Sequence, residues 1–230
     1  GEWRELWSEN LPLLIVQLPQ WINGKTSADG NDPMRWPVLR EAQWDAAQSI
    51  DNVYAICTID CGEYDNIRPL DKRTPGELLA NCARRQIYGM DRVPVHGPTV
   101  LGFRCDPNGR VRLFFRYAHG LHFEGTTPGG GDDDFDGQLP TLVRVPERSG
   151  FELAGSDGMF HPATAAIFVD CDIDELVNSR VNVVDYNATE FGIPINSSSI
   201  GTITLATPDV PEPVAMRYAW RSWGPAPLFN

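Results

Sequence analysis

The sequence predicts an α/β fold over residues 1–92 and a β-rich, sandwich-like fold over residues 93–230. In the first part, segments with the 3.6-residue periodicity of helices alternate with short apolar runs, which is the pattern of parallel strands covered by helices. From residue 99 onward, short runs rich in β-branched and aromatic residues are separated by Gly, Pro, Asn and Asp. That pattern is typical of antiparallel strands, so we expect two regions of different architecture.

The first region is predicted to begin with a helix over residues 2–9 and a strand over residues 11–18. The apolar residues of the helix fall on one face: Trp3, Leu6 and Trp7. The strand sequence, LPLLIVQL, is nearly continuously apolar, as in parallel strands that are covered on both faces. A long loop is predicted over residues 19–36, which contain several Gly, Pro, Asn and Asp residues.

A second helix is predicted to begin at Pro37, because proline suits the first position of a helix. Its apolar residues are spaced to form one buried face: Val38, Leu39, Ala42, Ala46 and Ile50. A second strand over residues 53–59 and a polar loop follow. The third helix is predicted from a capping box formed by Thr74 and Glu77, and it is predicted to end at Gly89.

The β-rich region is predicted to begin with a hairpin. Strands over residues 100–105 and 110–118 flank the turn sequence Asp-Pro-Asn-Gly at residues 106–109. Further strands are predicted over residues 141–145, 163–169, 200–206 and 214–220. Residues 170–199 are irregular in sequence and give no assignment.

Two parallel strands do not form a stable sheet on their own, because such strands need cover on both faces and sheets usually have several members. We therefore expect the missing strands to come from polypeptide upstream of Gly1, which makes this chain the C-terminal portion of a longer protein. The alternative is a mixed sheet in which the two strands join strands from residues 93–230.

The composition excludes several classes of partner. The formal net charge is −12 and no basic stripe is visible, so neither nucleic acid nor an anionic membrane is expected to bind. No apolar run has the length of a membrane span. The five cysteines lack zinc-type spacing, so no metal site is expected from them. The acidic segment 129–137 matches the first half of a calcium loop; a surface loop is the preferred interpretation and weak calcium binding the alternative.

The stretch from Thr58 to Glu77, TIDCGEYDNIRPLDKRTPGE, contains the candidate site. It lies between a buried strand and a helix, where open α/β sheets hold their ligands and catalytic groups. Asp65 and Arg68 have the D-x-x-H spacing with which one loop can present a carboxylate and a base that contact each other, but the fourth residue is arginine.

Several segments carry a family resemblance, in order along the chain: LLIVQLPQW, WPVLREAQWDAA, TIDCGEYDNIRPLDKRTPGELLA, ARRQIYG, FELAGSDGMFHPATAAI and VAMRYAW. Together they resemble the sialate O-acetylesterase family of SGNH-type carbohydrate esterases. The resemblance implies a flavodoxin-like (SGNH hydrolase) α/β/α layer, present here in part, with an accompanying β domain. It also implies removal of O-acetyl groups from sialic acid or plant polysaccharides, without metal or cofactor, in a secreted or periplasmic protein.

In that family the loop ends in Asp-x-x-His-Pro, and the nucleophilic serine lies in N-terminal motifs. The resemblance gives Asp65 the role of orienting the base and puts Arg68 in the position of the base. No G-D-S or G-Q-S segment of the nucleophile type occurs in this sequence. Because a guanidinium ion has no lone pair, it cannot accept the serine proton.

The leading hypothesis is therefore a carbohydrate O-acetylesterase portion without its nucleophile and base, acting on an O-acetylated sugar or polysaccharide. The alternative is a non-catalytic sugar-binding or scaffold relative, a pseudoenzyme. Arg68 has two open interpretations, an ion pair with Asp65 and recognition of an anionic group such as a sugar carboxylate. Further candidates for contact with the sugar are Trp21 and Trp36, with core packing as the alternative, and His119 and His122.

Overall fold

A computed structural model describes residues 2–7, 10–23, 35–90, 93, 95, 97–124, 141–168, 182–183 and 200–230. The chain divides into two compact units, and the division does not follow the chain in a single cut. The first unit comprises residues 1–95 and residues 220–224, and the second comprises residues 96–219 and 225–230. A short segment near the C-terminus is therefore part of the first unit.

The first unit is mixed α/β, with a parallel sheet, as the sequence predicts at this level. Its elements are helix α1 (Glu2–Trp7), strand β1 (Leu13–Val16), helix α2 (Arg35–Ser49), strand β2 (Val53–Ile56), a 3-10 helix (Ile59–Cys61) and helix α3 (Arg73–Gln86). Strands β1 and β2 pair in parallel, with Leu13 opposite Val53 and Val16 opposite Ile56. Both strands are shorter than predicted. Their ladder ends at Val16 and Ile56, and the residues that follow are not part of a strand.

The burial expected for the first unit is wrong in three elements. Leu13 and Val16 of β1 are each 40% exposed, although the sequence predicts a strand covered on both faces. Helix α1 has no buried residue, and its apolar face is exposed: Trp3 72%, Leu6 81% and Trp7 68%. Helix α2 begins before Pro37 and buries Pro37 and Arg40, whereas Val38, Leu39 and Ile50 of the predicted stripe are exposed. The first unit therefore carries much apolar surface that nothing in the described chain covers.

The start of α3 differs from the predicted capping box. Asp71 accepts hydrogen bonds from the backbone N–H groups of Arg73 (2.9 Å) and Thr74 (3.1 Å), so an aspartate satisfies the exposed amides of the first turn. Bonds from Thr74 in particular lower the pKa of Asp71, since they favour its charged form. Glu77 pairs with Arg73 one turn away (2.7 Å) and does not complete a box with Thr74.

The second unit is built of antiparallel strands. They are β3 (Thr99–Cys105), β4 (Val111–Arg116), β5 (His122–Phe123), β6 (Leu142–Val143), β7 (Phe151–Ala154), β8 (Phe160–Pro162), β9 (Thr164–Phe168), β10 (Asn182–Val183), β11 (Ile200–Ala206), β12 (Ala215–Tyr218) and β13 (Leu228–Phe229). They form a six-stranded sheet in the order β10-β3-β4-β11-β9-β6, a three-stranded sheet in the order β12-β7-β8, and the pair β13-β5. The predicted hairpin is confirmed by the pairing of β3 with β4, in which Gly109 has a φ of +77°.

The core of the second unit contrasts with the exposed surface of the first. Its side chains are almost completely buried and include Leu113, Phe123, Leu153 and Leu205. The predicted strands near residues 141–145, 163–169, 200–206 and 214–220 correspond to β6, β9, β11 and β12. The sandwich-like arrangement of these sheets stays a prediction.

Parts of the sequence predictions lie outside the described residues. These are most of the predicted loop 19–36, the acidic segment 129–137 and nearly all of residues 170–199. Among the helices that the structure describes, none is both long enough and apolar enough to cross a membrane.

Candidate functional site

The candidate site is built where the chain leaves the two parallel strands at their carboxyl ends. The segment after β1 and the loop after β2 run side by side and are joined by hydrogen bonds. The hydroxyl of Thr58 donates to the carbonyl of Gln17 (2.5 Å), Gln20 N–H donates to Ile59 (3.3 Å), and Asp65 N–H donates to Ile22 (3.0 Å). Residues 17–22 therefore hold the loop that contains Asp65 along much of its length.

Helix α2 fixes the segment after β1 from the other side. The side chain of Gln17 donates to the Arg40 carbonyl (2.9 Å), and the side-chain oxygen of Gln43 accepts from Leu18 N–H (2.9 Å). The indole N–H of Trp36 donates to the Pro19 carbonyl (2.6 Å). These polar contacts explain why α2 buries the face with Pro37 and Arg40, which differs from the face predicted from its apolar residues.

Gly62 permits the close approach of the loop to residue 20. A methyl group at this position would overlap the carbonyl oxygen of Gln20, and it would lie 2.8 Å from the carbonyl carbon and 2.9 Å from the nitrogen of that residue. The backbone of Gly62 is extended (φ −81°, ψ 161°), so the requirement for glycine here is steric and does not come from its backbone angles.

Glu63 and Asn66 close the turn in which Asp65 lies. The carboxylate of Glu63 accepts from the backbone N–H of Leu70 (2.5 Å) and from the side-chain amide of Asn66 (2.6 Å). The oxygen of the same amide accepts from Arg68 N–H (3.1 Å). Asp65 has a φ of 57°, in the left-handed region that non-glycine residues seldom adopt. The bonds made by its neighbours stabilise this unusual conformation at a candidate functional residue.

We predict that this turn weakens as the pH falls. The Leu70 amide and then the Asn66 amide stabilise the charged carboxylate, which lowers the pKa of Glu63. A lowered pKa in the folded state means that the contribution is present at neutral pH and is lost as the pH falls through that value. In NMR titrations, the Leu70 amide shift should report a midpoint below the usual range of glutamate.

The matched variants for this titration are Glu63→Gln and Glu41→Gln, the second of which removes an exposed carboxylate from α2. Glu63→Gln should abolish the acidic transition of the Leu70 amide, and Glu41→Gln should leave it unchanged. An unchanged transition in Glu63→Gln would show that another group titrates there.

Asp65 and Arg68 lie on the same exposed loop, and an ion pair between them is one of the two interpretations that the sequence left open. The ion pairs between described residues do not include one between these two side chains. Both residues are exposed, and the Arg68 side chain makes no hydrogen bond to another described residue. Arg68 therefore presents its guanidinium at the surface of the loop.

Trp21 and Trp36, which the sequence offered either for sugar contact or for core packing, lie against each other. Their ring centroids are 5.2 Å apart with an interplanar angle of 45°, and both residues are half-buried. The structure also brings two aromatic residues to the loop that the sequence did not single out. Tyr64 and Trp223 form an edge-to-face pair with ring centroids 5.6 Å apart.

The segment Trp220–Gly224, named the return segment below, carries Trp223 into the first unit. The backbone carbonyl of Ser222 accepts a hydrogen bond from the backbone N–H of Trp21 (2.8 Å). The backbone carbonyl of Arg221 accepts one from the Arg40 guanidinium (2.7 Å). Gly224 N–H donates to the side-chain oxygen of Gln20 (3.2 Å). No local signal marks this segment, since its partners lie about two hundred residues earlier in the sequence.

The two candidate histidines belong to the second unit. His119 lies in an exposed turn after β4. His122 lies in β5, where its Nδ1 is 2.7 Å from the Gly120 carbonyl and its Nε2 is 3.6 Å from the Glu124 carboxylate. Each nitrogen of the His122 ring therefore lies near an oxygen atom of a residue close to it in sequence.

Cys61 is the nucleophilic side chain nearest in sequence to Asp65, and its environment suppresses reactivity. Burial and the neighbouring Asp60 carboxylate raise the pKa of the Cys61 thiol to about 12. Because the thiolate is the nucleophilic form, Cys61 is unreactive near neutral pH. In the parts of the chain that the structure describes, no three His, Cys, Asp or Glu side chains converge in a way that could hold a metal ion.

Comparison with known proteins finds a likeness to a solved structure. No protein-family model matches the chain, and no curated protein matches it significantly. The whole chain is similar to the crystal structure of a carbohydrate acetylesterase from Xanthomonas citri, with 27% sequence identity and a TM-score of 0.64. This chain spans 41% of the length of that protein. The likeness supports a relation between this chain and carbohydrate esterases.

Proposed function

We propose that this chain is the portion of a carbohydrate O-acetylesterase that carries the acid–base loop, and that Arg68 makes it inactive. The observation that carries the proposal is the similarity of the entire chain to a carbohydrate acetylesterase. The position of the loop agrees with it, because residues 58–70 follow a parallel strand at the edge where α/β proteins hold catalytic groups. The sialate type and the SGNH layer belong to this proposal, and the sequence resemblance supports them.

In the proposed reaction, a serine hydroxyl from another part of the protein attacks the acetyl carbonyl carbon of the sugar ester. A base at position 68 takes the serine proton and returns it to the sugar oxygen as the ester bond breaks, leaving an acetyl-enzyme that water hydrolyses to acetate. Asp65 orients that base. Arg68 stays protonated and cannot take the proton, so the first step lacks its acceptor.

The second candidate function is sugar binding without hydrolysis. The exposed guanidinium of Arg68, which has no ion pair with Asp65, favours it. Arginine recognises carboxylates through two parallel hydrogen bonds, so an acidic sugar such as sialic acid suits this position. In this case the loop serves recognition of the sugar and not its hydrolysis.

We also propose that further polypeptide of the same protein covers the exposed apolar surface of α1, α2 and β1 and supplies the nucleophile. The support is the exposed apolar surface on α1, α2 and β1, together with a parallel sheet that has two strands among the described residues. Large exposed apolar patches rimmed by polar residues mark interaction surfaces. The chain spans 41% of its structural neighbour, which leaves ample length in a protein of that type for such a segment.

Acetate release separates these proposals. The substrates are O-acetylated sialic acid and acetylated xylo-oligosaccharides, and the proteins are the full-length gene product, its Arg68→His variant, and residues 1–230 with the same substitution. We expect release only by the full-length variant. Release by the 230-residue variant would contradict the proposed external nucleophile. No release by any protein, with binding of the sugar by the unaltered one, would favour the sugar-binding function.

A further inference from the structure

We propose that Tyr64 and Trp223 form a sugar-binding subsite beside Asp65 that receives a pyranose ring of the ligand. This inference rests on the proposed function, because it takes a carbohydrate as the ligand. It adds a specific pair of residues and a mode of binding, namely stacking of the sugar on aromatic rings. One residue comes from the loop after β2, and the other comes from the return segment.

The two rings are held in a defined arrangement and yet are accessible. Their interplanar angle is 77°, the edge-to-face geometry that aromatic pairs favour. Tyr64 is 48% exposed and Trp223 is 36% exposed. A core pair looks different, as Phe151 and Tyr218 of the second unit show, since Phe151 is only 2% exposed. The Tyr64–Trp223 pair thus has free aromatic surface that its own packing does not use.

Among the described residues, the hydrogen bonds that hold the return segment do not involve the Trp223 indole. Three of the hydrogen bonds that fix the segment use its backbone groups, at Arg221, Ser222 and Gly224. The indole ring is therefore available for a ligand. For the same reason, substitution of Trp223 leaves these three bonds intact, which makes the subsite testable without detaching the segment.

Tyr64 is fixed in a comparable way by its neighbours. Glu63 is bonded through its carboxylate to Asn66 and Leu70, and Asp65 N–H is bonded to Ile22. The phenol ring thus belongs to a turn closed by hydrogen bonds, and the residue after Tyr64 is the candidate catalytic residue Asp65. A sugar stacked on this pair lies beside the residue that is proposed to orient the base.

A pyranose ring suits such a pair because its C–H groups lie on its faces and its hydroxyls lie around its rim. The faces of aromatic rings carry partial negative charge and attract the C–H groups, while the rim hydroxyls remain available for hydrogen bonds. Binding sites commonly combine aromatic walls with a few polar groups that fix orientation. The likeness to a carbohydrate acetylesterase selects a sugar as the occupant over an apolar peptide side chain.

The subsite is tested by NMR on the ¹⁵N-labelled chain, which has seven tryptophans and therefore a small set of indole N–H signals. The signal of Trp223 is identified by its loss in Trp223→Phe. Two probes are titrated at millimolar concentration, the methyl glycoside of sialic acid and a xylo-oligosaccharide. We expect the Trp223 signal to shift with at least one probe, while the Trp3 and Trp7 signals of α1 do not move.

Substitutions at Trp223 distinguish stacking of the sugar on a flat ring from contact with any apolar side chain. Trp223→Ala and Trp223→Leu should each weaken binding about tenfold, because leucine keeps volume without a flat ring. Trp223→Phe should stay within about threefold of the original affinity. Trp7→Ala, which removes a tryptophan of α1 that is 68% exposed, is the control and should bind as the original does. Circular dichroism confirms that each variant is folded.

The proposal is overturned if neither probe shifts the Trp223 signal, or if Trp223→Ala binds as well as Trp223→Phe. This readout is independent of hydrolysis. Binding that depends on Trp223, with no acetate released by the full-length Arg68→His variant, would support the subsite and contradict the esterase function. Acetate release by that variant with kcat and KM both unchanged by a further Trp223→Ala substitution would support the esterase function and contradict the subsite.

Discussion

Replacement of Arg68 by histidine in the full-length gene product is expected to raise the hydrolysis of p-nitrophenyl acetate by roughly 10⁴-fold, about 5 kcal/mol in transition-state stabilisation. Neutral imidazole accepts the serine proton and returns it to the leaving group, whereas guanidinium has no lone pair to offer. The gain should disappear below a pH of about 6.5, where imidazole is protonated. Initial rates measured across this pH range provide the check.

Two further variants distinguish a restored base from a removed charge. Arg68→Gln eliminates the cation without supplying a proton acceptor, so it should gain no activity. Asp65→Asn in the Arg68→His background should lower kcat strongly, since the imidazole loses the carboxylate that orients it. Equal activity of the unaltered protein and the Arg68→His variant would contradict the assigned role of position 68.

Replacement of Gly62 by alanine is expected to destabilise the first unit by about 3 kcal/mol. The added methyl group would overlap the backbone of Gln20, and backbone atoms cannot move aside as the end of a flexible side chain does. Relief of the overlap requires separation of the loop from residues 20–22, which breaks the bond from Asp65 N–H to the Ile22 carbonyl. Urea unfolding gives the stability loss, and hydrogen exchange of the Asp65 amide reports the separation.

Gly76→Ala is the matched control for this substitution. Gly76 lies inside α3, and a methyl group there meets no other atom within 4 Å. Alanine has the higher helix propensity, so this variant should gain about 0.5 to 1 kcal/mol. A loss below about 0.5 kcal/mol in Gly62→Ala would show that the two segments adjust to the methyl group, against the expectation for rigid backbone contacts.

Local sequence patterns predicted the order and type of most elements. The α/β order of the first part, the parallel pair of strands and the hairpin around Gly109 all depend on interactions between residues close in sequence or on strong apolar periodicity. The long polar loop after β2 was found in the same way. Its function could be proposed from the spacing of Asp65 and Arg68 and from family resemblance.

Burial in the first unit was predicted poorly because polar contacts, and not an apolar stripe, determine which face of α2 is covered. Arg40 is buried because its guanidinium reaches the carbonyl of Arg221, which is 181 residues away in sequence. Periodicity assigned that burial to Val38, Leu39 and Ile50, which are exposed. No pattern within α2 signals a hydrogen bond to a segment that arrives from the far end of the chain.

The sequence by itself determined the alternation of helix and strand, the polar loop at the end of the second parallel strand, and the arginine at the proposed position of the base. Only the tertiary structure decided that the return segment joins this loop and that Tyr64 meets Trp223. The physical reason is the sequence separation of the interacting residues. Propensity, periodicity and turn chemistry depend on residues that lie close together in the sequence. Three of the hydrogen bonds that hold the return segment use its backbone groups, at Arg221, Ser222 and Gly224, so the residue types of the segment do not signal them.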